Sequence, residues 1–119
     1  MPITLYNFIH IVGLVMIFSA LGGAATFAGN GGSKENNTWR KKIAIAHGVG
    51  LFLMLLGGFG MLAKLQIHFP WPGWVTAKVI IWLFLGGCIA LSYRKPVISF
   101  WLAIAAGSAA AFLALWKPF

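Results

Sequence analysis

The chain has 119 residues and a formal net charge of +8, and 61% of its residues are hydrophobic while only 8% are charged. An ordinary soluble domain carries about 25% charged residues, so this chain has too few charges to cover a soluble surface. A disulfide scaffold is excluded as well, because Cys88 is the only cysteine. Composition therefore predicts an all-α integral membrane protein.

Four apolar stretches, taken in chain order, predict four transmembrane helices. They cover roughly residues 5–28, 43–65, 75–93 and 97–116, each near the ~20 residues that cross ~30 Å of hydrocarbon. The first stretch lacks a preceding basic region and exceeds the usual apolar length of a signal peptide, so we expect a retained helix. We expect one transmembrane domain over residues 1–119, folded as an up-and-down four-helix bundle.

The basic residues predict the orientation of this bundle. Six of them fall in the first and third connections, whereas the opposite side has only Lys117 beyond its helix ends; the six are Lys34, Arg40, Lys41, Lys42, Arg94 and Lys95. Because Lys and Arg favour cytoplasmic loops, both termini are expected on the non-cytoplasmic side, in a bacterial inner membrane. Since these residues flank apolar runs, they indicate membrane topology and no nucleic-acid partner.

Small residues recur at four-residue spacing, which lets membrane helices approach closely. The series are Ala20, Ala24 and Ala28; Ala103, Gly107 and Ala111; and Ala106, Ala110 and Ala114. The fourth helix has more small faces than one neighbouring helix needs. The series at Ala103, Gly107 and Ala111 is therefore predicted to contact lipid, a second copy of the chain or another membrane subunit.

Five polar side chains stand out within or beside the apolar stretches: His10, His47, Lys64, His68 and Lys78. Ionisable groups at membrane depth are costly and are functional candidates by default. Counted from the helix ends, all except His47 belong to the outer leaflet. Lys64 is interpreted as snorkelling and His68 as a solvated interfacial residue. Two alternatives stay open for His10 and His47: a cofactor ligand, or a core histidine that donates to a neighbouring carbonyl.

The same depths limit any haem site. His10 and His47 are expected about 15 Å apart along the membrane normal, so they cannot ligate one iron together. A single haem b or other tetrapyrrole remains possible, with His10 as an axial ligand. Its sixth ligand would be His68 or Lys78, or the iron would be five-coordinate. With Glu35 as the only acid, paired-carboxylate catalysis and carboxylate proton relays are excluded.

Three elements of the sequence resemble a known group of membrane proteins. His10 in the first helix, AHGVGLFLMLLGG at residues 46–58 and WVTAKVII at residues 74–81 resemble the small SirB-like membrane proteins. The element Gly73-Trp74-Val75-Thr76-Ala77-Lys78 is similar to the third-helix opening of HemJ-type protoporphyrinogen oxidases. The resemblance implies a four-helix membrane fold and directs attention to His10, His47 and Lys78 as functional residues.

The sequence departs from both patterns. Gly50 stands where SirB-like proteins tend to have an aspartate after the second-helix histidine. Gly86-Gly87-Cys88 occupies the region where HemJ-like proteins have a later histidine. The resemblance therefore supports the fold more strongly than an oxidase activity.

Two function classes follow. The first is a tetrapyrrole- or quinone-linked redox role, in which His10 and Lys78 face each other and hold an anionic or electron-rich group. The alternative is a non-catalytic accessory subunit of a larger respiratory, photosynthetic or similar complex. A transporter ranks last because no acidic or polar stripe lines a path. We expect no stand-alone catalytic activity.

Overall fold

The computed structural model describes residues 2–117, and this part of the chain contains four α-helices and no strand. The helices are α1 (Ile3–Gly29), α2 (Arg40–Lys64), α3 (Gly73–Arg94) and α4 (Pro96–Trp116). All four are long and apolar enough to cross a membrane, which confirms the predicted class of integral membrane protein. Met1, Pro118 and Phe119, and with them the two termini of the topology prediction, lie outside the described residues.

The helix bounds differ from the predicted ones by three residues or fewer. The largest difference is at α2, which begins at Arg40 instead of residue 43. Hydropathy marks only the part of a helix that lies in hydrocarbon, and a helix can continue through basic residues towards the headgroups. At this end Lys42 packs its ammonium 4.3 Å from the centre of the Trp39 ring.

Successive helices run antiparallel. Gly57 lies against Tyr6 and Gly50 lies against Ile17, so residue numbers increase in opposite directions along α1 and α2. His47 in the first half of α2 is hydrogen-bonded to the carbonyl oxygen of Leu85 in the second half of α3, so these two helices are antiparallel as well. Gly29 at the end of α1 lies near Pro96 at the start of α4. This arrangement is the expected up-and-down bundle, and it brings the first and third connections to the same end.

Helices α1 and α3 each contact all three other helices, whereas α2 and α4 do not contact each other. The closest approach is between α1 and α2. A Cβ built on Gly13 would lie 2.5 Å from the carbonyl oxygen of Gly50, and one built on Gly57 would lie 2.5 Å from that of Tyr6. Only glycine allows the two backbones to meet this closely.

The core lies between the four helices, and it consists mainly of aliphatic and small side chains. Its buried members are Ile17, Leu21, Met54, Leu85, Cys88 and Ala103. The outer surface of the helices carries many exposed large apolar side chains, among them Phe8, Phe52, Ile80 and Trp101. An apolar exterior of this kind suits a lipid environment.

The series at Ala103, Gly107 and Ala111 is divided between the core and the exterior. Ala103 is buried in the core, and a Cβ on Gly107 would lie 2.8 Å from the ring of Phe18 in α1. Ala111 is exposed. Two of the three residues therefore pack within the chain, and a contact with a second copy or another subunit through this series stays a prediction.

Candidate functional site

His10 links the first two helices through one ring nitrogen. Its Nδ1–H donates to the carbonyl oxygen of Met54 at 2.8 Å, because a carbonyl can only accept. The ring is half-buried and lies beside Gly58, where a Cβ would be 3.5 Å from Nδ1. A Cβ at position 58 would therefore make only ordinary contact with the imidazole. With the proton on Nδ1, the second nitrogen, Nε2, has a free lone pair.

Lys78 lies on α3 at the same end of the bundle as His10. Its side chain is half-buried, and it is close enough to His10 for its positive charge to act on the ring. Lys117, which follows α4, acts in turn on Lys78. The Lys117 ammonium lies 5.2 Å from the centre of the Trp74 ring. Lys78 and Lys117 therefore make this end electropositive beside the neutral ring of His10.

No carboxylate side chain balances this charge. Glu35, the only acid in the sequence, lies between α1 and α2, at the opposite end of the bundle. The ammonium groups of this region can hold an anion or the electron-rich atom of a ligand, while the lone pair of His10 can accept a hydrogen bond or coordinate a metal.

His47 occupies a different environment from His10. It is only 5% exposed, and its Nε2–H donates to the carbonyl oxygen of Leu85 at 3.0 Å. Four residues further along α2, the carbonyl oxygen of Leu51 accepts a hydrogen bond from the Trp82 indole at 3.0 Å. These two bonds join α2 to α3. In this position His47 is a core histidine that connects helices, one of the two alternatives that its sequence context leaves open.

The two histidines lie at different depths, as expected. His10 reaches the carbonyl of Met54, and Met54 is seven residues after His47, which corresponds to about 10 Å along the helix axis. This separation is smaller than the expected 15 Å but still prevents both rings from ligating one iron. Within residues 2–117, no group of three or more His, Cys, Asp or Glu side chains could hold a metal ion.

The remaining candidates, His68 and Lys64, are exposed. His68 lies between α2 and α3, and Lys64 is the last residue of α2. These positions agree with an interfacial histidine and a snorkelling lysine. The structure therefore places His10 and Lys78, both half-buried, at the same end of the bundle and leaves His68 on the surface.

A buried polar cluster joins α3 to α4, although composition does not single it out. The Ser92 hydroxyl donates to the carbonyl oxygen of Cys88 at 3.0 Å, and it accepts from the Ser99 hydroxyl, whose oxygen lies 2.8 Å away. The spacing of Cys88 and Ser92, one helical turn apart just before a tight connection, is the signal that could have indicated it. All polar atoms are bonded within the cluster, so its role is to fix the two helices together.

Tyr93 ties the first connection to the end of α3. Its hydroxyl accepts a hydrogen bond from the Asn37 side chain at 3.0 Å, and Asn37 is only 8% exposed. Within the described part of the chain, no buried side-chain nitrogen or oxygen lacks a hydrogen-bond partner. The polar groups of the bundle are thus satisfied by protein, and the second nitrogen of His10 is the notable group that the intramolecular bonds leave available.

Comparison with protein families, curated proteins and solved structures found no match to this chain.

Proposed function

We propose that the protein binds an electron-rich, lipophilic redox ligand, a tetrapyrrole or a quinone, between His10 and Lys78. The hydrogen bond from His10 Nδ1 to the Met54 carbonyl, at 2.8 Å, is the observation that carries the proposal. Histidines that ligate metals commonly donate their other ring nitrogen to a carbonyl or carboxylate, which fixes the tautomer and orients the ring. The bond to Met54 prepares Nε2 of His10 in this manner.

For a tetrapyrrole, the residues fit one haem and not two. Nε2 of His10 would coordinate the iron, and the Lys78 ammonium would pair with a propionate. His47 is unsuited to this role, because it is only 5% exposed, whereas the ring of His10 is half-buried. When bound, the haem would supply one-electron chemistry. The protein would fix the ring of His10 and supply positive charge from Lys78.

For a quinone, the same two side chains have complementary hydrogen-bonding roles. The Lys78 ammonium donates to a quinone carbonyl oxygen, and the lone pair on Nε2 of His10 accepts from the hydroxyl of the reduced form. Nε2 of His10, the nitrogen that would accept this hydrogen bond, can also hold a proton. The positive charges of Lys78 and Lys117 would stabilise a negatively charged form of the quinone more than its neutral form.

The proposal includes a bacterial inner membrane, with both termini on the non-cytoplasmic side. The antiparallel helices bring six basic residues of the first and third connections to one end. Such an excess favours the cytoplasmic face. The site at His10 and Lys78 would then lie in the outer leaflet.

The test is an optical and chemical analysis of the protein purified from its native membrane. We expect either a Soret band or a stoichiometric extractable quinone. His10→Phe and Lys78→Met should each reduce the bound ligand at least tenfold, while His68→Phe and Lys64→Met, matched changes at exposed positions, should retain it. Far-UV circular dichroism checks that the helices persist.

Two results would refute the proposal. One is a purified protein with neither chromophore nor quinone. The other is equal ligand loss in the control variants and in the His10 and Lys78 variants.

An accessory subunit of a larger membrane complex is the second candidate, and the aromatic surface of α4 favours it. Trp101 and Trp116 are 63% and 67% exposed, and Phe112 stacks on Trp116 with ring centroids 5.2 Å apart. Exposed aromatic side chains of this kind are common anchors in protein interfaces. A featureless spectrum together with a co-purifying membrane complex would favour this role, and it requires no stand-alone catalysis.

A further inference from the structure

A groove runs along the bundle between α1 and α4. One section, of about 200 Å³, lies between Gly29 and Pro96 and has Phe100 and Trp101 on its wall. A second section, of about 170 Å³, reaches Phe18 and again includes Phe100. Phe100 lines both sections, so they adjoin at this side chain on one side of the bundle, and neither section includes His10 or Lys78. The lining of the groove is almost entirely apolar.

The length of the groove corresponds to one leaflet of a membrane. Its α1 wall extends from Phe18 to Gly29, a distance of about 16 Å at 1.5 Å per residue. Half of a ~30 Å hydrocarbon core is about 15 Å. A single acyl chain lying along the helices would therefore fill the groove from the headgroup level to the middle of the membrane.

The end of the groove at Pro96 is positively charged. Arg94 and Lys95 come directly before Pro96 in the chain, and both side chains are exposed. Four more basic residues lie in the neighbouring first connection and at the start of α2, where Glu35 is the only acid. A phosphate at this position would meet the basic side chains, while the chain attached to it enters the apolar groove.

We propose that the groove between α1 and α4 is a binding site for an anionic phospholipid. One acyl chain lies between Phe100 and the α1 wall, and the headgroup phosphate contacts Arg94 and Lys95. The combination of an apolar groove one leaflet long with positive charge at its headgroup end, beside Pro96, selects an anionic lipid as the occupant. A zwitterionic lipid would gain the same apolar contacts but less from the charge.

Native mass spectrometry of the detergent-solubilised protein tests this site. The probes are phosphatidylglycerol and phosphatidylcholine with identical oleoyl chains, supplied in equal amounts, so that only the headgroup differs. The parent protein should retain one phosphatidylglycerol with a clear preference over phosphatidylcholine. Arg94→Gln and Lys95→Gln should each lower that preference, by about fivefold per basic residue.

A second variant fills the groove without disturbing the helices. A Cβ on Gly22 would have no heavy atom within 4 Å, and Gly22 lines the second section, so Gly22→Leu should exclude the acyl chain and reduce retention of both lipids. Gly87→Leu is its control, because Gly87 in α3 is equally open and lies outside the groove. Lys64→Gln is the control for the charge variants.

Three results would overturn the proposal. They are an absence of headgroup preference in the parent protein, an unchanged preference in the combined Arg94→Gln and Lys95→Gln variant, and a loss in the control variants equal to that in the groove variants. Because the groove does not include His10 or Lys78, its failure and the failure of the proposed redox ligand are separate outcomes.

Discussion

Replacing Gly57 by alanine should separate α1 from α2 at the point where they are closest. The added Cβ would lie 2.5 Å from the carbonyl oxygen of Tyr6 and 2.6 Å from the backbone nitrogen of His10, whereas ordinary contact begins at 3.4 Å. Both obstacles are backbone atoms, so no side-chain rotation relieves them. The two helices must move apart by about 0.9 Å, and overpacking of this kind costs about 1–3 kcal/mol.

Gly48→Ala is the matched control for this prediction. Gly48 lies on the same helix, is exposed, and has nothing within 4 Å of an added Cβ. Both variants gain the same advantage of alanine over glycine in a helix, about 1 kcal/mol. The difference between the two variants therefore isolates the packing cost, and Gly57→Ala should have the lower free energy of unfolding by about 1–3 kcal/mol.

The assay is unfolding in mixed micelles with an increasing fraction of sodium dodecyl sulfate, followed by far-UV circular dichroism. A second readout is the hydrogen bond from His10 to Met54. Because Met54 lies just before Gly57, the 2.8 Å bond should lengthen beyond hydrogen-bonding distance, and the ¹⁵N chemical shift of Nδ1 should change. Equal stability of the two alanine variants, with an unchanged His10 signal, would refute the close backbone contact.

Two further predictions concern His47 and the topology. His47→Phe should lower the free energy of unfolding by about 1–2 kcal/mol in the same assay, because the hydrogen bond to Leu85 is lost and a buried carbonyl acceptor loses a partner. His68→Phe is the control at an exposed position. Equal stability of the His47→Phe and His68→Phe variants would contradict the role of His47 in connecting the helices. A reporter active only in the cytoplasm should be inactive when fused after the last residue. Neutralising residues 40–42 together should produce a mixture of the two orientations, since each basic residue near an anionic leaflet contributes about 1 kcal/mol of attraction to it. Cytoplasmic activity of the reporter fused to the unmodified chain would contradict the predicted orientation.

The sequence by itself determined the membrane class and the four helices. These properties depend on local composition, since a run of about 20 apolar residues must satisfy its backbone hydrogen bonds within a helix when it lies in lipid. The positions of the helix ends were less precise. At α2, the apolar run starts three residues after the helix itself, because the basic side chains at residues 40–42 are polar yet helical.

Only the tertiary structure decided what the polar and small residues do. His10 and His47 have similar contexts in the sequence, but the partners of their rings are carbonyls on other helices, which no local pattern specifies. Their difference in depth is about 10 Å instead of 15 Å because counting from segment ends assumes that the helix ends are level. Likewise, the series at Ala103 and Gly107 faces α1 because the rotation of a membrane helix about its axis is set by packing against its neighbours. Since hydropathy is nearly uniform around α4, the sequence does not indicate which face of this helix points inward.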